Sequence, residues 1–208
     1  NLRMLFTSRD ELTDYLKGVI GLDNNVVKVE NSDQLRTNLI DILVKNSVLN
    51  KSNEIKGLTR FIIKSAAIEM GIISSSIQGL YEARGRGECN GFTVPAINIR
   101  GMSYDFSRSI FRAAHKLNTG SFIFEIAKSE IGYTFQQPHE IVPVILGAAI
   151  REEHVGPVFI QGDHFQVNAK KFKNNKEEEL LGLKSLIKKG IEAGFYNIDI
   201  DTSTLVDL

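Results

Sequence analysis

Asp163 and His164 stand side by side at the end of a short apolar run, Val155-Gly-Pro-Val-Phe-Ile-Gln-Gly-Asp-His-Phe165. An adjacent carboxylate and imidazole at a strand end project in different directions. One can bind a metal while the other handles a proton. A second acidic end occurs in Tyr196-Asn-Ile-Asp-Ile-Asp-Thr-Ser203, which carries Asp199, Asp201 and Ser203. Asn98 closes a third apolar run, and Glu125 and Ser129 follow a fourth. Each group also has a plainer reading: Asp163 and His164 as a structural pair, Asp199 and Asp201 as a strand end and helix cap, Asn98 as a backbone partner.

Strands must stand behind these residues. Phe92–Ile99, Ser121–Ile126, Pro157–Gln161 and Tyr196–Asp201 are short apolar runs of the kind that fill a buried parallel sheet. Helical patterns separate them at Ser103–Asn118, Glu140–Glu153 and Glu177–Ala193, the last stopped by Gly194. Their predicted inward faces are Phe106, Ile110, Ala113, Ala114 and Leu117, then Leu180, Leu181, Leu183, Leu186, Ile187 and Ile191. Alternating strands and helices predict right-handed βαβ units. No Gly-x-Gly-x-x-Gly turn follows the first strand, which disfavours a dinucleotide-binding sheet. A (β/α)8 barrel remains, with polar residues gathered at the C-terminal ends of its strands. Four strands make half of one, so the sequence is expected to be a fragment of a longer chain, and its opening on Asn1 rather than Met agrees.

Before the barrel, residues 1–88 read as a helical segment. Thr7 or Ser8 caps a first helix and Asn31-Ser32-Asp33 a second, with further helices from about Glu54 to Gly71 and Ser74 to Ala83. Val26–Val29 is a short extended piece. The Arg84-Gly-Arg-Gly87 run is a charged hinge, which divides the chain into 1–88 and 89–208.

Lys plus Arg and Asp plus Glu both count 25, so the net charge is zero and a chain-wide surface for nucleic acid is not expected. The lysines between Lys170 and Lys176 read as a solvated loop leading into a helix, since Glu177, Glu178 and Glu179 follow at once. A single cysteine, Cys89, excludes an intrachain disulfide and suits a reducing compartment. No apolar run is long enough for a bilayer and no signal peptide is visible, so a cytoplasmic protein without a membrane partner is expected.

The three strand ends together resemble class II, metal-dependent fructose-bisphosphate and tagatose-bisphosphate aldolases. Phe92-Thr-Val-Pro-Ala-Ile-Asn98 is similar to the family's first strand, Gln161-Gly-Asp-His164 to its third, and Gly194 through Asp201-Thr-Ser203 to its fourth. The resemblance covers about residues 92 to 205. It implies a lyase of carbohydrate metabolism and glycolysis acting on a phosphorylated ketose, with Zn2+ or another divalent cation. It further implies Asp163 as the acid/base residue, His164 as the first metal ligand through a neutral imidazole nitrogen, Asp201 as the acidic residue of the metal site, and Asn98, Ser129 and Ser203 as substrate-binding positions. The expected chemistry is coherent, because a cation at the ketone oxygen stabilises the charge that develops as the carbon–carbon bond breaks.

Departures accompany the match. Ser129 meets the family's Ser-x-Gly loop only with a shift, and Phe165 stands where a small residue is usual, an exchange expected to narrow the pocket or change the substrate. The two further histidine ligands the family needs are not at strand ends here. His115, His139 and His154 lie on or beside helices. Lys128 and Lys170 are not embedded in apolar strands where burial would lower their pKa for a Schiff base. Cys89 has no base beside it. The site is thus expected to be half present. Beside the aldolase reading stand a non-catalytic accessory barrel, like those of tagatose-bisphosphate aldolase, and an assembly protein with a vestigial barrel. A homo-oligomer built through the first 88 residues is the expected assembly.

Overall fold

A computed structural model describes residues 4–24 and 26–206. Side-chain caps open several of the helices. Ser8 caps α1 (Arg9–Leu16) by accepting the Glu11 N–H. The strands β1 (Ile20–Asp23) and β2 (Val26–Val29) pair antiparallel as a hairpin. Asn31 then caps α2 (Ser32–Gln34), which runs through a π-helical stretch at Leu35–Leu39 into α3 (Ile40–Leu49). Ser52 caps α4 (Asn53–Glu69). Next come β3 (Ile72–Ser75), α5 (Gln78–Gly85), β4 (Ala96–Asn98), α6 (Ser103–Leu117), β5 (Ile123–Ala127), α7 (Lys128–Thr134), α8 (Pro138–Arg151), β6 (Gly156–Asp163), α9 (Ala169–Asn174), α10 (Lys176–Ala193) and β7 (Asn197–Ile198).

These elements fall into two units. The first takes Asn1–Ile73, Met102–Thr119 and Glu140–Val158, so it draws on chain from both sides of residue 88. Helices α3 and α4 form its centre, with Ile40, Leu43, Ile62, Ile63 and Ala66 fully buried. Gly147 of α8 lies against Val44 and Ile40 of α3. Two polar pairs lie inside it: Asn46 accepts the Phe6 N–H at 2.9 Å, and the Tyr104 hydroxyl donates to Asp41 at 2.6 Å, whereas the buried Ser107 hydroxyl has no hydrogen-bond partner among the described residues.

The second unit takes Ser74–Gly101, Gly120–His139 and Phe159–Leu208. Its centre is a parallel sheet in the order β4-β5-β6-β7, with β3 also bordering β6. The protein is therefore α/β with a parallel four-stranded sheet. Register sets its polar residues in rows. Asn98 pairs with Glu125, Glu125 with Gln161 and Gln161 with Asn197, which makes one polar line across four strands. Two residues further on, Ala127 pairs with Asp163. Because side chains alternate, this second row shares the face of the first.

Several local expectations change. Residues Ile72–Ser75 form a strand where one helix was expected to end at Gly71 and the next to begin at Ser74, since Gly71 turns the chain at φ 75° and two isoleucines follow. The first strand is shorter than Phe92–Ile99, and the fourth is only Asn197–Ile198. On α6 the buried residues are Ser107, Phe111 and Ala114, whereas Phe106 and Leu117 are exposed. On α10 they are Leu183, Gly190 and Ala193, with Leu181 and Ile191 exposed. In both cases the buried stripe is narrow and includes small residues, which apolar periodicity alone overlooks. No helix of the described residues is long and apolar enough to cross a membrane.

Candidate metal centre at the strand ends

The chain enters the site along β6, which ends at Asp163. His164 follows at φ 45°, a left-handed backbone that ends the strand and turns the imidazole out of it. Asp199 holds that turn: its carboxylate accepts the His164 N–H at 3.2 Å and its carbonyl accepts the Phe165 N–H at 2.9 Å. In return, the Asp199 N–H donates to the Gly162 carbonyl at 2.8 Å. The β6 and β7 ends are thereby laced together beyond the last paired residues.

Around the imidazole stand three carboxylates. Nδ1 of His164 lies 3.1 Å from Asp201 Oδ2, and Nε2 lies 3.7 Å from Asp163 Oδ2. Ligand atoms of Asp163, His164 and Asp199 all fall within 4.8 Å of one another, close enough to share one cation. The Asp201 hydrogen bond, with the charge of Asp163, raises the His164 pKa. Asp201 is itself pulled down, first by hydrogen bonds from Ser203 and then by His164. Its Oδ1 accepts the Ser203 N–H at 2.8 Å.

Glu125, in the row below, has its pKa raised by burial and by the charges of Asp163 and Glu130. Its Oε2 accepts the Gln161 amide at 3.3 Å. On β4, Asn98 does not stand alone: its amide donates to Glu130 Oε2 at 2.9 Å. The same carboxylate accepts the Ala127 N–H at 2.9 Å and the Arg100 Nε–H. Burial pushes the Glu130 pKa up, but these donors outweigh it and hold it below the ordinary value.

Ser129 and His164 line one cleft of about 310 Å³, together with Lys128, Gln166, Asn168 and Thr204. Asp199 instead borders a second space of about 500 Å³, beside Gln161, Tyr81 and Tyr196. Asn98 and Ser203 are therefore committed to Glu130 and Asp201, while Ser129 shares open space with the imidazole. Phe165 does not narrow either space. It is fully buried, with its ring against Gly162.

Lys128 donates to the Gln166 carbonyl at 2.8 Å and to Glu179 at 3.0 Å, so it pins a loop to α10. His115 and His154 stack on each other at 5.7 Å in the first unit, and His139 opens α8. None of the three belongs to a group of metal-binding side chains among the described residues. Cys89 is half-buried and free. Sequence reading missed Glu130, Arg100 and Gln161; the period-two alternation of β4 and β6 carries the signal for the last two. No family model, curated protein or solved structure matches the chain.

Proposed function

We propose that the strand-end group of the second unit binds a divalent cation and belongs to a class II aldolase-like lyase acting on a phosphorylated ketose. The observation that carries this reading is the convergence of Asp163, His164 and Asp199 within 4.8 Å. One imidazole with two carboxylates is a donor set that accepts Zn2+ and comparable divalent ions. The sequential parallel order β4-β5-β6-β7 supports the finer reading of the sheet as the first half of a (β/α)8 barrel.

When bound, such a cation supplies electrophilic polarisation of the substrate's ketone oxygen. The protein's own residues prepare the rest. Asp201 holds the His164 ring through Nδ1, which directs Nε2 towards the Asp163 side. Asp163, mostly covered, offers one oxygen to the candidate donor set, and its other oxygen is the one that takes and returns the hydroxyl proton. Glu125, on the same face two residues before the Asp163 row, accepts the Gln161 amide and lines the approach from β5. Ser129, in the cleft with His164, is the hydroxyl that contacts substrate.

The accessory-barrel reading draws support from one feature: His164 is the only histidine in the cluster of the described residues. Zinc titration of the chain, with EDTA-sensitive cleavage of ketose bisphosphates measured beside it, tests both. Zinc binding and turnover that both fall in His164→Asn support the lyase. Zinc binding without turnover favours the accessory role. Turnover indifferent to EDTA and to His164→Asn removes the metal-assisted mechanism. Asn is the replacement of choice because it tolerates the left-handed backbone at this position.

A further inference from the structure

Arg100 lies two residues beyond Asn98, the last residue of β4. The ladder continues past the strand, since the Ile99 N–H donates to the Glu125 carbonyl at 3.4 Å. Alternation therefore returns Arg100 to the face that carries Asn98, at the level of the Ala127–Asp163 pair. From β4 to β6 is two strand spacings, about 10 Å.

The guanidinium is held from beneath. Glu130, buried with 6% of its side chain exposed, takes the Nε–H. Glu130 has its oxygens occupied by Asn98, Ala127 and Arg100, so it fixes the arginine without turning towards a ligand. Arg100 remains 62% exposed. With Nε engaged, its outer N–H groups form a planar fork, the geometry that recognises a phosphoryl group. The neighbouring groups on β5, β6 and beyond β7 include the carboxylates of Glu125, Asp163, Asp199 and Asp201, which repel an anionic substrate end, and Lys128 in the cleft beside His164 is already paired with Glu179. A fixed cation is needed to hold it.

We propose that Arg100, positioned by Glu130, is the receptor for the phosphoryl group of the substrate. The inference rests on the phosphorylated-ketose reading above and gives it a recognition residue. Because Glu130 neutralises the pair, recognition comes from directed donors at short range rather than from net charge.

Isothermal titration of the chain with inorganic phosphate tests this, with zinc titration run in parallel. Arg100→Gln is expected to weaken phosphate binding about tenfold or more, the equivalent of one lost charge-assisted pair. Arg100→Lys, which keeps the charge but loses the fork, is expected to weaken it several-fold. Zinc affinity stays as in the wild type in both. Unchanged phosphate affinity in Arg100→Gln overturns the proposal, as does a wild-type chain without saturable phosphate binding. If Arg100→Gln fails to fold, Arg100→Lys decides by the same criterion. Phosphate binding that depends on Arg100 in a chain that takes no zinc upholds the anion site while removing the metal reading. Zinc binding at His164 with phosphate indifferent to Arg100 does the reverse.

Discussion

Asp201 sits 3.1 Å from Nδ1 of His164, on the side of the ring opposite the nitrogen that faces Asp163. A carboxylate in that place fixes the tautomer and aim of the imidazole, and such partners are worth 10- to 100-fold in metal affinity. Asp201→Asn keeps an oxygen for the Ser203 N–H but loses the charge. Zinc affinity, measured by competition with a chromophoric chelator, is expected to fall by about tenfold or more. Equal affinity in wild type and variant would show that the ring needs no such orientation.

Glu130 ties β4 to the start of α7 through three donors. Glu130→Ala strands the Asn98 amide and the Ala127 N–H, at a cost of about 2 to 3 kcal/mol. Its folded pKa lies below the ordinary 4.5, so its contribution is full above the unfolded value and fades as pH falls through the folded one. Urea unfolding from neutral pH into the acid range is expected to show the gap between wild type and Glu130→Gln closing below about pH 4.5. A gap independent of pH would mean that the carboxylate's charge contributes nothing to stability.

What the sequence made legible, and what it hid, follows from range. The runs ending in Asp163 and Asp201 are visible because an acid at the end of a short apolar run stands out, even though β6 buries only alternate residues. Ser8, Asn31 and Gly194 are visible because capping is local. Glu130 is hidden, since its partners Asn98 and Arg100 lie 32 and 30 residues away and nothing nearby marks it as buried. The face of α6 is hidden for a different reason. Ser107 is fully buried there while Phe106 is exposed, an inversion that hydrophobicity cannot express. Asp199 was legible as an acid, but its place in the donor cluster depends on the turn at His164, which only backbone geometry reveals.

Phe165 and Gly162 are locked together beneath the turn at His164. A Cβ on Gly162 would come within 2.6 to 3.0 Å of three atoms of the Phe165 ring, which is itself fully buried. Gly162→Ala is therefore expected to cost about 1 to 3 kcal/mol. Because the clash is with one ring, the penalty should shrink by about 1 kcal/mol in a Phe165→Leu background. A double-mutant cycle by denaturant unfolding reads the coupling, and strict additivity would place the strain elsewhere.

Two helical glycines should respond in opposite directions to the same substitution. Gly182 is exposed on α10 with nothing near its missing side chain, so Gly182→Ala gains helix propensity and stabilises by about 0.5 to 1 kcal/mol. Gly147 on α8 has the same propensity to gain, but its Cβ would run into Val44 and crowd Ile40 of α3. Overpacking of about 1 to 3 kcal/mol exceeds the propensity term, so Gly147→Ala should destabilise. Val44→Ala opens the space the new methyl needs, and in that background Gly147→Ala should recover most of its loss. Thermal melts of the four variants decide the point: a stabilising Gly147→Ala in the wild-type background would mean that α3 and α8 have room to separate.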